Sequence, residues 1–219
     1  MSWLRRVMGF EAPPKAATPD LETRALGLAN GKRVSIDPDL DKTVSPHLCQ
    51  PAFSGVQCVW SSGEIELGHG HFLHRFYLDD DETWIQVHTS GGLDGSVEEV
   101  TLFSYVSADV VNSQSELARL AGPDSPIGLP QYSYCDRQFE RVWGTEEGQT
   151  ELVAYQEKVT SPDQRYGIKH HAMLYARDTE LHSRREFLLF SAEEDEEGTV
   201  TLTTSVGVSL FQSDLTVSY

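Results

Sequence analysis

The sequence predicts an all-β fold, mainly an antiparallel sandwich or a barrel, with one or two short helices. Short apolar runs recur from residue 56 onward, turn-forming residues separate them, and the long crossover helices of an α/β protein are missing. The chain has 219 residues, of which 39% are hydrophobic, so it can bury a core without a disulfide or a metal. We therefore expect a folded domain that sheet packing stabilises.

The first 20 residues are predicted to stand apart from this domain. Residues 1–10 match a very short basic amphipathic helix, because the apolar residues fall at helical spacings and the two arginines lie largely on the other side. Residues 11–20 contain three prolines and predict an extended tether. Such a helix is stable only against a surface, so three alternatives stay open: docking onto its own domain, disorder, and weak membrane contact. The residues expected to make that contact are Trp3, Leu4, Arg5, Arg6, Val7 and Phe10.

Residues 21–219 are predicted to form a single β-rich globular domain. After a short helix that ends near Leu28, Asn30 and Gly31 indicate a turn before a strand over 33–36. One internal helix is predicted near 113–121, where Ser113 begins a capping box. Further strands are predicted over 56–60, 63–67, 72–78, 83–89, 97–107, 132–143, 152–160, 168–177, 185–192 and 199–210.

A similarity within the domain leaves a second organisation open. Residues 68–82 and 166–180 share a faint pattern, so the domain could consist of two related halves. No domain boundary is placed on this similarity.

The charge balance excludes one class of partner. The chain has 34 Asp and Glu against 17 Lys and Arg, a formal charge of −17, which repels the phosphate backbone of nucleic acid.

The cysteines, Cys49, Cys58 and Cys135, are odd in number and lack a closely spaced pair, which is typical of a reducing compartment. No apolar stretch is long enough for a transmembrane helix, and the start lacks the features of a signal peptide. We therefore expect a cytoplasmic protein.

The densest cluster of chemical groups is a run of histidines. His69, His71 and His74 fall within six residues, and imidazole is a common metal ligand. Strand alternation directs His69 and His71 to the face of Arg75 and directs His74 to the opposite face. Two alternatives stay open: a metal site of His69, His71 and Glu66, as in a metal-dependent hydrolase, or structural histidines with His74 hydrogen-bonded in the core.

Other polar runs are predicted to be structural. His170 shares a strand face with apolar residues and is expected in the core, whereas His171 is expected to be exposed. The acidic runs 79–82 and 193–197 are predicted to be solvated hairpin tips. The common motifs of nucleophilic, phosphate-binding, dinucleotide-binding and zinc-protease sites are absent from the sequence. The sequence therefore predicts no cofactor and favours a protein that is not an enzyme.

Two segments carry a resemblance to a known family. GEIELGHGHFLHRFYLDDDETWIQV at 63–87, together with RREFLLFSAEEDEEGTVTLTTSVGVSL at 184–210, resembles the YjfK-like family of uncharacterised bacterial proteins. The family has no established activity, so the resemblance gives no catalytic residue. It implies a bacterial cytoplasmic protein, often encoded near a phage-shock-type membrane-stress protein and a small integral membrane protein.

These observations favour one function and leave two alternatives. The favoured function is a non-enzymatic interaction module, peripheral to the inner membrane, whose first ten residues bind weakly to lipid or to a membrane-associated protein partner. The alternatives are the metal-dependent hydrolase-type enzyme at His69 and His71 and a small-ligand carrier with a pocket inside the β domain.

Overall fold

The structure, a computed structural model, describes residues 25–52 and 55–219. The predicted amphipathic helix, its membrane-contacting residues and the proline tether lie outside the described residues. The last part of the predicted first helix is one turn of 3₁₀ helix, Ala25–Gly27.

The described residues form twelve β-strands and two short α-helices. The strands are β1 Arg33–Ile36, β2 Gly55–Gly68, β3 His71–Leu78, β4 Thr83–Ser90, β5 Ser96–Val111, β6 Gln131–Tyr134, β7 Arg137–Arg141, β8 Val153–Thr160, β9 Arg165–Asp178, β10 Arg185–Glu194, β11 Val200–Leu210 and β12 Leu215–Ser218. The helices are α1 Leu40–Val44 and α2 Gln114–Ala121, and further 3₁₀ turns are Ser45–His47 and Gln212–Asp214. The predicted all-β class with short helices is confirmed.

Eight of these strands close into an antiparallel barrel. Its order is β2, β3, β4, β5, β11, β10, β9, β8, and β8 pairs back onto β2. The barrel consists of two four-stranded meanders, β2 to β5 and β8 to β11. Their first strands pair with each other, and so do their last strands. Two related halves would produce this connectivity, but a relation in sequence between the halves stays a prediction.

Shorter strands extend the sheet beyond the barrel. β1 pairs with the first residues of β2 on one side and with β12 on the other. The β6–β7 hairpin joins the second half of β9 through the pairs Glu140 with Ala176 and Arg141 with Tyr175. These additions cover parts of the outer wall that a free barrel would expose to water.

Stacked aromatic rings fill much of the barrel interior. Trp84 stacks on Phe103 with ring centroids 4.3 Å apart, and Phe103 contacts Phe187 at 6.3 Å. The buried members of this interior cluster are Trp60, Tyr77, Trp84, Phe103, Ala172, Leu174, Ala176, Phe187 and Leu189. The interior of this barrel is therefore packed with side chains along its aromatic part.

The outer wall carries two further apolar clusters. One lies beneath β1 and α1, where Ile36 and Leu40 pack with residues of β3, β4 and β5. The other lies beneath the β6–β7 hairpin, where Phe139 packs with Tyr175 and Phe190. Strands covered in this way are buried on both faces, and apolar residues therefore run almost continuously through β10.

Two predicted boundaries were wrong. The segments 56–60 and 63–67 belong to the single strand β2, in which the pairing register shifts between Val59 and Ser61 and no turn occurs. The predicted strand 132–143 is instead the β6–β7 hairpin, because Cys135 and Asp136 both have positive φ, 51° and 58°, and reverse the chain.

The internal helix is confirmed, with a difference at its cap. Ser113 Oγ accepts a hydrogen bond from the Glu116 backbone N–H, as predicted. The Glu116 carboxylate accepts from the backbone N–H of Asn112 rather than from that of Ser113. The cap therefore stabilises the residue before Ser113 as well as the first turn of the helix.

The aromatic stack makes Gly207 of β11 sensitive to substitution. A Cβ at this position would lie 2.6 Å from the Phe103 ring, so we expect Gly207→Ala to lower the free energy of unfolding by about 1–3 kcal/mol. Gly148 is the control, because a Cβ there meets no atom within 4 Å, and Gly148→Ala should change stability by less than ~0.5 kcal/mol. Urea unfolding followed by tryptophan fluorescence measures both. Equal free energies of unfolding for Gly207→Ala and Gly148→Ala would contradict close packing around Phe103.

Candidate functional site

A charged network lies inside the barrel beside the aromatic stack. Arg75 of β3 donates from Nη1 to Glu157 Oε2 of β8 over 2.8 Å, and Tyr77 donates its hydroxyl to Glu157 Oε1 over 2.7 Å. Arg75 is 2% exposed and Glu157 is 0% exposed. Because β2 separates β3 from β8, these bonds cross β2 on the inside of the barrel. They therefore link strands that the backbone does not pair.

Gly63 of β2 makes room for this link. In the register of the sheet Gly63 lies between Arg75 and Val159. A Cβ on Gly63 would lie 1.7 Å from Glu157 Oε1, closer than any two such atoms can approach. The carboxylate therefore occupies the space that a side chain at position 63 would take.

His170 and Glu193 extend the network to β9 and β10. His170 Nε2 lies 3.0 Å from Glu157 Oε2, an ion-pair distance, and His170 Nδ1 lies 3.0 Å from Ser191 Oγ. The His170 ring stacks on Tyr155 with centroids 4.8 Å apart. Glu193 Oε1 lies 3.8 Å from His170 Nδ1. We call Arg75, Tyr77, Glu157, His170 and Glu193 the interior network. The predictions that His170 is a core histidine and that His171 is exposed are confirmed.

The two buried carboxyl groups of the network have opposite pKa shifts. Burial alone would raise the pKa of Glu157, but the Arg75 charge and contacts with His170 and Tyr77 outweigh it and lower the pKa to about 2. Burial raises the pKa of Glu193, and the offsetting effects of His170 and the Thr203 hydroxyl are smaller. The charge on Glu157 is thus paired with that of Arg75 in the barrel interior.

The position of Glu193 corrects the prediction for the acidic run 193–197. Glu193 is only 5% exposed and accepts a hydrogen bond from Thr203 Oγ1 at 2.9 Å, because β10 continues to Glu194 and directs residue 193 inward. The hairpin turn between β10 and β11 begins after Glu194. The run 79–82 is a turn as predicted, where Asp80 Oδ1 accepts the backbone N–H groups of Glu82 and Thr83.

An open groove lies on the outer wall directly opposite Glu157. It has a volume of about 530 Å³ and follows the seam between β2 and β8, which consists of four residue pairs, Ser62–Ile65 with Glu157–Thr160. Glu64 and Lys158 face each other across the seam. Arg165 and Glu196 add a second pair of opposite charges at the groove wall. We call this surface the seam groove.

The walls of the seam groove are held by contacts to the backbone. Asn30 Nδ2 donates to the Thr160 carbonyl over 3.0 Å, which fixes the loop before β1 against β8. Glu196 Oε1 accepts the Gly167 backbone N–H at 2.9 Å, which fixes the β10–β11 turn against β9. The groove is therefore a formed concave surface that combines charges of both signs.

The structure disperses the histidines of the run 68–74. His69 is exposed in the β2–β3 turn with φ of 52°, and His71 Nδ1 lies 3.0 Å from His88 Nε2 on β4. Glu66 pairs in register with Phe72, so it lies on the face opposite His71. His74 is buried on that opposite face and lies 3.3 Å from Thr89 Oγ1, in agreement with the structural alternative.

Within 25–52 and 55–219, no group of three or more His, Cys, Asp or Glu side chains is arranged to hold a metal ion. None of the helices in the described part of the chain is both long enough and apolar enough to span a membrane.

Sequence reasoning missed the interior network as a unit. Tyr155, Glu157 and Val159 alternate along β8, and this alternation could have placed Glu157 on an inward face. Its partner Arg75 lies far away in sequence, and nothing in the local pattern indicates that β2 and β8 meet. The charged pair could therefore be found only after the barrel was known.

Comparisons with known proteins give the family. A family model described as a protein of unknown function (DUF2491) matches residues 3–216, nearly the whole chain. The chain belongs to this family. The chain is also similar to the uncharacterized protein YjfK of Escherichia coli (strain K12), to which it is 28% identical over 139 residues. The match covers 62% of this chain and 62% of that relative. The resemblance to a YjfK-like family is confirmed, and no solved structure matches the chain significantly.

The charge on Glu157 is predicted to be essential for the stability of this DUF2491 barrel. In Glu157→Gln the Arg75 guanidinium loses its buried partner, so the free energy of unfolding at neutral pH should fall by roughly 3–5 kcal/mol. Glu194→Gln is the control, since Glu194 forms a solvent-accessible pair with Lys169 and its loss should cost at most ~1 kcal/mol. Urea unfolding of the three proteins measures the difference.

The same comparison has a defined pH dependence. The folded pKa of Glu157, about 2, lies below its ordinary value of 4.5, so its contribution is complete above pH 4.5 and is lost as the pH falls towards 2. The difference in the free energy of unfolding between the original chain and Glu157→Gln should therefore become smaller as the pH falls from 4.5 towards 2. A constant gap would show that the lost stability comes from packing and not from the charge.

Proposed function

We propose that this DUF2491 protein is a non-enzymatic interaction module of the bacterial cytoplasm that works beside the inner membrane and binds a protein partner in the seam groove. The observation that carries the proposal is the groove itself, a concave outer surface with paired charges of both signs. The strongest cluster of titratable side chains, in contrast, is buried inside the barrel. Recognition at the outer wall is therefore favoured over chemistry in the interior.

The groove favours a particular kind of partner. Glu64, Lys158, Arg165 and Glu196 offer two carboxylates and two cations along its walls. A polar protein segment with charges of both signs complements this arrangement. Nucleic acid does not, because the chain carries a formal charge of −17 and each phosphate would meet carboxylates in the groove.

The proposed membrane contact rests on the sequence of the first ten residues. Trp3 and Phe10 suit the headgroup boundary of a bilayer, and Arg5 and Arg6 suit anionic lipid. A single short anchor of this kind gives weak, reversible binding. It would bring the seam groove close to partners at the membrane while the acidic domain stays in solution.

The two alternative functions have less support. The metal-dependent hydrolase-type site at His69 and His71 stays a prediction, which metal analysis of the purified chain and of His71→Ala tests. A carrier with a pocket inside the barrel is less favoured, because aromatic and charged side chains pack much of the interior and the 530 Å³ groove lies outside.

The seam groove is predicted to be the partner-binding surface in cells. A photo-reactive amino acid replacing Gln156, an exposed groove residue, should give a discrete protein cross-link, and Lys158→Glu should lower its yield several-fold by removing charge complementarity. The same amino acid at Gln138, exposed on β7, is the positional control. Lys42→Glu is the charge control, since Lys42 is exposed on α1 and lies outside the groove. Equal cross-linking from both positions would contradict the assignment.

The membrane contact is tested separately by vesicle co-sedimentation. The full chain should sediment weakly with vesicles rich in anionic lipid, and a shortened chain that begins at Asp20 should remain in the supernatant. Raised salt should reduce sedimentation of the full chain, because attraction of Arg5 and Arg6 to the lipid is screened. Background sedimentation of both chains would remove the membrane part of the proposal and leave the groove part standing.

A further inference from the structure

Two cysteines that are distant in sequence meet on the outer wall. Cys49 lies between the 3₁₀ turn Ser45–His47 and β2, and Cys135 lies in the turn of the β6–β7 hairpin. Cys49 Sγ is 3.7 Å from the carbonyl oxygen of Tyr134, the residue before Cys135. The Cys135 thiol is one of the groups that raise the pKa of Cys49, so the two side chains lie near each other. The sequence spacing of the cysteines gave no sign of this pair.

Charged side chains hold the Cys49 segment in place. The backbone N–H of Cys49 donates to Glu186 Oε1, and Glu186 Oε2 accepts from Arg177 Nε over 2.6 Å. The carbonyl of His47 accepts from the guanidinium groups of both Arg137 and Arg177. Because Arg137 begins β7, the same contacts tie the segment to the hairpin that carries Cys135. The two thiols are therefore kept together by the fold.

The two thiols differ in their access to solvent. Cys135 is exposed, whereas Cys49 is half-buried against the apolar cluster beneath the hairpin. Burial and the neighbouring Glu186 carboxylate raise the pKa of the Cys49 thiol to about 12, which keeps it protonated at neutral pH. A dissolved oxidant would thus meet Cys135 first. Cys58, the third cysteine, lies on β2 in register with Arg33 of β1.

We propose that Cys49 and Cys135 form a redox-active pair, which a low-molecular-weight disulfide converts into an intramolecular disulfide bond. This modification site is independent of the proposed function at the seam groove. It would link the segment after α1 to the β6–β7 hairpin when the surroundings become oxidising. In a reducing cytoplasm both residues remain thiols.

The reaction proceeds by two thiol–disulfide exchanges. The Cys135 thiol loses its proton to the solvent, and the thiolate attacks one sulfur of the small disulfide, forms a mixed disulfide and releases one small thiolate. Cys49 then loses its proton to the solvent and attacks Cys135 Sγ, which forms the Cys49–Cys135 bond and releases the second small thiolate. The two small thiolates take up the two protons and become thiols. The two cysteines are oxidised by two electrons, and the small disulfide is reduced to two thiols. No further reactant is needed.

The modification should stabilise the fold measurably. A cross-link between positions so far apart restricts the unfolded chain strongly, and for a ring of this size the midpoint of thermal unfolding should rise by roughly 10 °C. The increase should vanish when a reductant is added. This shift distinguishes the intramolecular bond from a mixed disulfide on Cys135, which restricts no ring.

The test uses the full chain treated with oxidised glutathione and then alkylated. Free thiols should fall from the three of the reduced chain to the one of Cys58, and mass spectrometry of the digest should identify a Cys49–Cys135 peptide. Cys58→Ser is the matched control and should form the same bond. Cys49→Ser should stop at the glutathione adduct on Cys135, and Cys135→Ser should stay unmodified at Cys49.

Several results would overturn the proposal. These are a bond that includes Cys58, a mixed disulfide on Cys135 that never closes in the original chain, and cross-linked dimers as the main product. Closure of the bond without a reversible rise in the unfolding midpoint would overturn the stabilising role assigned to it.

Discussion

The buried carboxylate of Glu157 is the constraint on which the barrel depends. Removing this charge from water is costly, and the cost is offset only because Arg75, Tyr77 and His170 converge on its two oxygens. Those partners come from β3 and β9, on either side of the seam that closes the barrel. The absence of a side chain at Gly63 completes the arrangement. One charged group thus ties β3, β8 and β9 together across the shortest pairing in the closed sheet, that of β2 with β8.

The two faces of the seam differ in their chemistry. On the inside, charges are paired, buried and surrounded by aromatic rings. On the outside, Glu64 and Lys158 lie at the surface of an open groove. A binding surface gains from a rigid support, because a support that is already ordered loses little entropy when a partner binds. The interior network provides such a support directly beneath the groove.

Features within one element could be predicted from the sequence, whereas features that join distant elements could not. The capped helix at Ser113, the first strand and the core position of His170 follow from spacing and alternation alone. The bulge in β2, the turn at Cys135 and the pairing of Arg75 with Glu157 depend instead on which strands become neighbours. Periodicity reports the faces of one strand and carries no information about its partners.

The connectivity of the two meanders has a consequence for synthesis of the chain. β2 to β5 are made before β8 and β11. The edge strands β2 and β5 can therefore find their partners β8 and β11 only after most of the chain has been made. Until then a nascent sheet of these strands exposes the edge of β5 and the part of β2 that β8 later covers, the condition under which unfinished β-proteins associate wrongly. The barrel can therefore close only after its second half has been made.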